Sequence, residues 1–182
     1  MNQTSPDATD RIYLDHAAST PVDPRVLSAM APYWEDEFAN PNGIHTEGLK
    51  AKSAVESARQ EIAQTLQVTP DTITFTSGGT EGNNLAVFGI VDAYRKETGC
   101  AYADVHLVTS AVEHSSVLDC FLELEQRGAE LTILPVDSEG KTSVDDLKRA
   151  LRANTVMVSI MYANSEIGVI NPIRSYDKVV DD

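Results

Sequence analysis

The sequence predicts an α/β fold of three layers, a mainly parallel sheet with helices on both faces. Three observations predict it. Short apolar or β-branched runs alternate along the chain with amphipathic helical patterns, the order that parallel βαβ units with right-handed crossovers require. One run, residues 155–161, is almost wholly apolar, as a strand buried on both faces would be. Another, residues 72–76, empties through a glycine turn into a helix start, which would set a helix N-terminus at the carboxyl edge of the sheet.

The elements follow in order. Residues 1–11 read as a loose tail, its first ten positions rich in Thr, Asp and Ser, and Ile12, Tyr13 and Leu14 as a short strand or extended piece. Asp23 caps a helix with Pro24 at its first position, and Val26, Leu27, Met30 and Tyr33 line one face as far as Trp34. Asn40-Pro41 and Asn42-Gly43 mark a loop that delivers His45 to the next helix start. Ala51, Val55, Ala58, Ile62 and Leu66 then step by three or four along a packing helix that ends near Gln67. Residues 72–76 alternate polar with apolar, a strand pattern, and the helix after them carries Leu85, Phe88, Val91 and Tyr94 up to a stop at Gly99. The unit repeats as a strand over 105–109 and a helix through Val117, Phe121 and Leu124 to Gly128. It repeats again as a strand over 131–136 and a helix opened by the capping-box pattern at Ser143 and Asp146, before the strand at 155–161.

Bulk composition narrows the function. A chain of 182 residues that is 42% hydrophobic has enough apolar material for one medium domain with a true core, so residues 12–182 are read as a single domain. Its net charge of −14 would repel a nucleic-acid backbone or an anionic membrane surface, although a local pocket could still hold one anion. The polar start has neither the basic nor the apolar part of a signal peptide, and no run reaches membrane length, so a cytoplasmic location is expected. Cys100 and Cys120 show no C-x-x-C spacing and are read as plain thiols.

The glycine turn, Ser77-Gly78-Gly79-Thr80, carries the first chemical signal. Glycines let several amides converge, the first helical amides lack an intrahelical partner, and the dipole favours an anion there. A phosphate is the natural guest; a plain turn whose hydroxyls cap the helix satisfies the same spacing. No Lys follows the glycines as a P-loop needs, and they do not form G-x-G-x-x-G. Because ligands of parallel sheets sit beyond the strand ends, the other candidates are Glu113 and His114, Asp137 and Ser138, and Asn164, Ser165 and Glu166. Alone, His114 would cap or pack and Asn164 would make a turn. Together with the glycine turn they suit a phosphorylated heteroaromatic ring, which an imidazole can stack on and an amide can hydrogen-bond.

Residues 13–21, Asn40-Pro41 with His45 and Gly48, residues 75–81, Glu113-His114 and residues 164–168 resemble the N-terminal half of the cysteine desulfurases. These are pyridoxal-phosphate enzymes of the class V aminotransferase, fold-type I group, whose large domain this chain would hold incompletely. The resemblance implies pyridoxal 5′-phosphate as cofactor, with Gly79 and Thr80 on its phosphate. It implies His114 stacked on the ring as the catalytic histidine, Asn164 on the ring hydroxyl or substrate, and no metal. It implies L-cysteine as substrate, giving L-alanine and an enzyme persulfide for a sulfur-acceptor protein in iron–sulfur cluster assembly or tRNA thiolation, and a homodimer. Ser165 stands where the family often has a second Asn, and His16 where it often has Asn or Tyr.

Family members continue with an Asp for the pyridine nitrogen, a Schiff-base Lys and a nucleophilic Cys, and Cys100 and Cys120 do not match that Cys position. The 182 residues are therefore expected to be a truncated or split half, poorly soluble and inactive alone, completed by a complementing C-terminal half. The alternatives are another class V enzyme, such as a selenocysteine lyase or aminotransferase, and a non-catalytic half that binds a full-length partner. Tyr33 and Trp34 are expected to pack, residues 35–37 to form a solvated acidic face, His106 to be structural, and His45 either to cap its loop or to lie near the site.

Overall fold

A computed structural model describes residues 12–181, so the predicted tail over 1–11 lies outside the described residues. The chain separates into two compact units at Phe75 and Thr76, a finer division than the single domain read from the sequence. Among the described residues no helix is long and apolar enough to cross a membrane.

The first unit is helical. Its first helix, α1 (Pro24–Met30), opens where the Asp23 carboxylate accepts the Arg25 amide at 2.8 Å. The single helix predicted as far as Trp34 is broken, because Pro32 has no N–H to give the Ser28 carbonyl, and the chain restarts as α2 (Pro32–Glu35). The long helix α3 (Thr46–Leu66) begins at His45, whose Nδ1 accepts the Gly48 amide at 3.3 Å, and ends on Gln67 in the left-handed region at φ 57°. The Glu47 carboxylate lies 3.0 Å from the same nitrogen. The Gly48 bond needs an unprotonated Nδ1, and in that form His45 caps its helix.

The strand predicted over 72–76 does not form. Pro70–Thr72 is a single 3-10 turn, and residues 73–76 run on without a ladder partner among the described residues. A strand exists by pairing its backbone groups with another strand; here the Ile73 carbonyl accepts the Arg59 guanidinium instead. Residues 12–14 likewise form no strand.

The second unit is a three-layer α/β sandwich. Its elements are α4 (Gly79–Thr98), β1 (His106–Ser110), α5 (Ser115–Gln126), β2 (Glu130–Leu134), α6 (Val144–Ala150), β3 (Thr155–Ser159) and α7 (Ile173–Asp181). The strands lie in the order β2-β1-β3, and both pairings are parallel. Successive side chains of a strand point to opposite faces. Leu107 of β1 accordingly joins Val87 and Val91 of α4 and Phe121 and Leu124 of α5, while Val108 joins Leu134, Leu147 of α6 and Tyr176 of α7. Helices therefore cover both faces, as the strand–helix alternation predicts.

Differences of boundary have local causes. Strand β2 stops at Leu134 and not at 136, since Val136 pairs antiparallel with Thr142 across a turn held by the Asp137 carboxylate. Strand β3 ends at Ser159 rather than 161, where the Met161 amide turns to the Glu113 carboxylate. Helix α7 has no counterpart in the sequence prediction; it gives the core little more than Tyr176 and Val179, three residues apart. His106, fully buried at the head of β1, meets the Thr155 hydroxyl through Nδ1 and the Thr132 hydroxyl through Nε2, each at 2.8 Å, and so ties all three strands together. Burial first, and then the Arg152 charge, push its pKa below the ordinary histidine value.

The connection from β1 runs through α5 on one face to β2, and the chain returns through α6 on the other face, past β1, to β3. The loops leaving β1 and β3 therefore diverge at the carboxyl edge, the topological switch point at which such sheets bind ligands.

Candidate functional site

Three stretches converge on that edge. The first is the start of α4. Its cap is Gly78, which has no side chain to offer, and among the described residues no side chain caps the amides of Gly79 and Thr80. A Cβ placed on Gly78 or Gly79 would meet nothing within 4 Å, so the space above the turn is open. Ser77 gives its own amide to the Glu81 carboxylate at 2.5 Å, and hydrogen bonds from Ser77 hold that carboxyl below its usual pKa.

The second is the loop after β1. The buried Ser110 hydroxyl donates to Glu113 Oε1 at 2.6 Å, and the Met161 amide donates to the same oxygen at 2.7 Å, so Glu113 clamps the ends of β1 and β3 together. His114 caps α5: its Nδ1 accepts the Ser116 amide at 3.1 Å and lies 2.8 Å from the Ser116 hydroxyl. A backbone amide can only donate, so Nδ1 is unprotonated and the neutral ring carries its hydrogen on Nε2. The residue is exposed.

The third is the loop after β3. Asn164 is buried, and its Oδ1 accepts the amides of Glu166 at 2.8 Å and Ile167 at 3.1 Å, the turn-forming role such residues take. Its Nδ2 donates to the Val112 carbonyl at 2.9 Å and to the Met161 sulfur at 3.2 Å. A thioether is a weak acceptor, so this second proton is the one a better acceptor in the crevice could take.

One further bond links the first stretch to the second. Asn83 Nδ2, one turn into α4, donates to Ser116 Oγ at 2.8 Å. A chain of hydrogen bonds thus runs from α4 through Ser116 to His114, and Val112, two residues upstream of His114, meets Asn164. Neither Asn83 nor Ser116 is legible as a site residue in the sequence, because their separation of 33 positions leaves no periodic signal. Of the other candidates, Asp137 is used by its turn, where the Lys141 amide chiefly holds its carboxyl below the usual pKa. Ser138, Ser165 and Glu166 are exposed.

The donor set suits pyridoxal 5′-phosphate. Uncapped amides and a hydroxyl lie at a helix N-terminus for the phosphate, an exposed imidazole is available for the ring, and the amide proton of Asn164 is available for a ring oxygen.

Comparison with known proteins points the same way. The sequence pattern described as aminotransferase class-V matches residues 12–181. The cysteine desulfurase IscS of Dictyoglomus turgidum is 45% identical over 168 residues, which cover 92% of this chain and 41% of that protein. The solved structure of a NifS-like protein superposes with a TM-score of 0.87 at 33% identity, covering 94% of this chain and 45% of the other. A structure described as SspA in complex with cysteine superposes at 0.83 with 40% identity, covering 93% and 47%. The chain thus spans less than half the length of each of these proteins.

Proposed function

The chain belongs to the aminotransferase class-V family, and from that premise we propose that it carries the phosphate and ring side of a pyridoxal 5′-phosphate site for cysteine desulfuration. Gly79 and Thr80 bind the phosphate through their free amides and the Thr80 hydroxyl. His114 lays its imidazole along the pyridine ring and holds a proton on Nε2, where it can be given to the substrate or taken back. Asn164 exchanges its weak contact with the Met161 sulfur for the ring hydroxyl. When bound, the cofactor supplies the electron sink that lets the carbon–sulfur bond of a cysteine be cleaved.

In this reading the substrate is L-cysteine, the carbon product is L-alanine, and the sulfur passes as a persulfide to an acceptor protein in the cytoplasm. In this reading the assembly is a homodimer. One observation carries the reading. The uncapped start of α4 is tied through Asn83 and Ser116 to His114 at one sheet edge, in a chain 45% identical to a cysteine desulfurase.

The test is a titration with pyridoxal 5′-phosphate, followed by visible absorption. It is run on the chain alone and then with the C-terminal part of the Dictyoglomus relative supplied as a separate polypeptide. A visible band on combination supports the reading, and Thr80→Val should weaken binding about tenfold, roughly the 1.4 kcal/mol of one charge-assisted hydrogen bond. If no band forms with either sample, the chain does not serve this chemistry.

A further inference from the structure

Asn83 and Ser116 have no part in the roles assigned above, yet they are the groups that meet His114. The Ser116 hydroxyl has one hydrogen to give and two lone pairs to receive with. Asn83 Nδ2 can only donate, and it donates into Ser116 Oγ at 2.8 Å. The Ser116 amide can only donate as well, and it reaches His114 Nδ1 at 3.1 Å. With one neighbour filling a lone pair of Oγ and Nδ1 already an acceptor, the hydroxyl hydrogen is left to point at Nδ1, 2.8 Å away. All three bonds then run in one direction, from Asn83 through Ser116 to His114. The opposite polarity would need a hydrogen on Nδ1, facing the Ser116 N–H directly.

The relay crosses from one helix to another. Asn83 lies on the second turn of α4 and Ser116 on the first turn of α5, and both are half-buried. Those helices share the core cluster built on Val87, Val91, Phe121 and Leu124, so the ends of the relay are held by packing that the site itself does not provide. Two donors converging on Nδ1 restrict rotation of the imidazole and leave Nε2–H as its one free polar group.

We propose that Asn83 and Ser116 are positioning residues, which lock His114 as the Nε2–H tautomer and set its ring plane relative to the glycine turn at the start of α4. The proposal rests on the reading of His114 as the ring-stacking, proton-holding residue, and it extends that reading to two side chains that touch neither cofactor nor substrate.

The experiment is long-range proton–nitrogen NMR of the full chain labelled with 15N at histidine, in which the His114 signals are assigned among 4 histidines by their loss in H114Q. The wild-type chain should show a pyridine-like Nδ1 and a pyrrole-like Nε2. S116A should move the Nδ1 shift part of the way toward the pyrrole-like value, and S116T, which keeps the hydroxyl, should restore it. N83D should move it further, since a carboxylate would take the Ser116 hydrogen and turn the oxygen lone pair toward Nδ1. A wild-type Nδ1 that is already pyrrole-like, or S116A and N83D spectra indistinguishable from wild type, would overturn the relay. Pyridoxal 5′-phosphate binding by the same samples separates the two readings. A relay intact in the spectra of a chain that never binds the cofactor leaves the tautomer assignment standing and removes the cofactor reading. Cofactor bound equally well by wild type and by variants with unchanged spectra removes the relay alone.

Discussion

Residues 12–75 bury the apolar side chains of Ala51 and Ala63, whereas residues 76–181 bury two clusters on opposite faces of a sheet. The helices on the two sides of that divide are alike in length, 21 residues in α3 and 20 in α4. On α4, Val87 and Val91 are 2% and 0% exposed; on α3, Val55, Ile62 and Leu66 are 37%, 38% and 61% exposed. The difference lies in the partner and not in the helix. An amphipathic stripe yields its stabilisation only where another apolar surface takes it out of water. In the second unit β1 offers one apolar core residue to each face, Leu107 and Val108, so a single strand serves four helices; the first unit has no sheet among its described residues. The same contrast places the candidate site residues, because His114 and Asn164 sit on loops that the strands of the second unit lead to one edge.

The largest expected effect comes from truncating an apolar side chain in each unit. Phe121→Ala, at a fully buried position, should lower stability by about 3–5 kcal/mol. Ile62→Ala on α3 should cost about 1 kcal/mol or less. Urea denaturation measures both, and similar midpoint shifts would break the contrast.

A smaller effect should come with acid. His106 is buried with its pKa lowered, so in the folded state it resists the proton that the unfolded chain accepts. As pH falls through about 6.5 the unfolded state binds more protons, and the second unit should lose stability from there down to the lowered folded pKa. Thermal midpoints recorded from about pH 7.5 to about 5.5 would show this as a slope, which His106→Asn should flatten. Equal slopes in the two proteins would mean that the strand-tying histidine is not the group responsible.

The smallest effect compares two helix caps. Ser143→Ala removes the hydroxyl that accepts the Asp146 amide at the start of α6, a helix that packs Leu147 into the core, and should cost about 1 kcal/mol. Asp23→Ala at the start of α1, a helix with no buried residue, should shift the melting curve less. If the α1 cap mattered more, burial would not be what amplifies a local bond.

The caps at Asp23 and Ser143, the strand–helix alternation after residue 100 and the glycine turn were all legible, because each depends on residues within a turn or two of one another. The break at Pro32 was equally local and was readable in the missing N–H, but the prediction ran the helix through it. The strand expected over 72–76 had the right alternation and lacked a ladder partner, which no local pattern supplies. His45, which the sequence allows either to cap its loop or to lie near the site, caps its helix by accepting the Gly48 amide. At the site the residue types were legible one by one; the bonds from Asn83 to Ser116 and from Asn164 to Val112 were not.

By itself the sequence determined which residues could form helices and strands, where most of them start and stop, and which polar residue types follow the strand ends. Periodicity, caps and glycines act over a few residues, within reach of the backbone's own geometry. The tertiary structure alone decided which stripes found a partner, which extended run became a strand, and which neighbours fixed His114. Each of these depends on closing a loop of tens of residues, whose entropic cost is met only when many contacts form together.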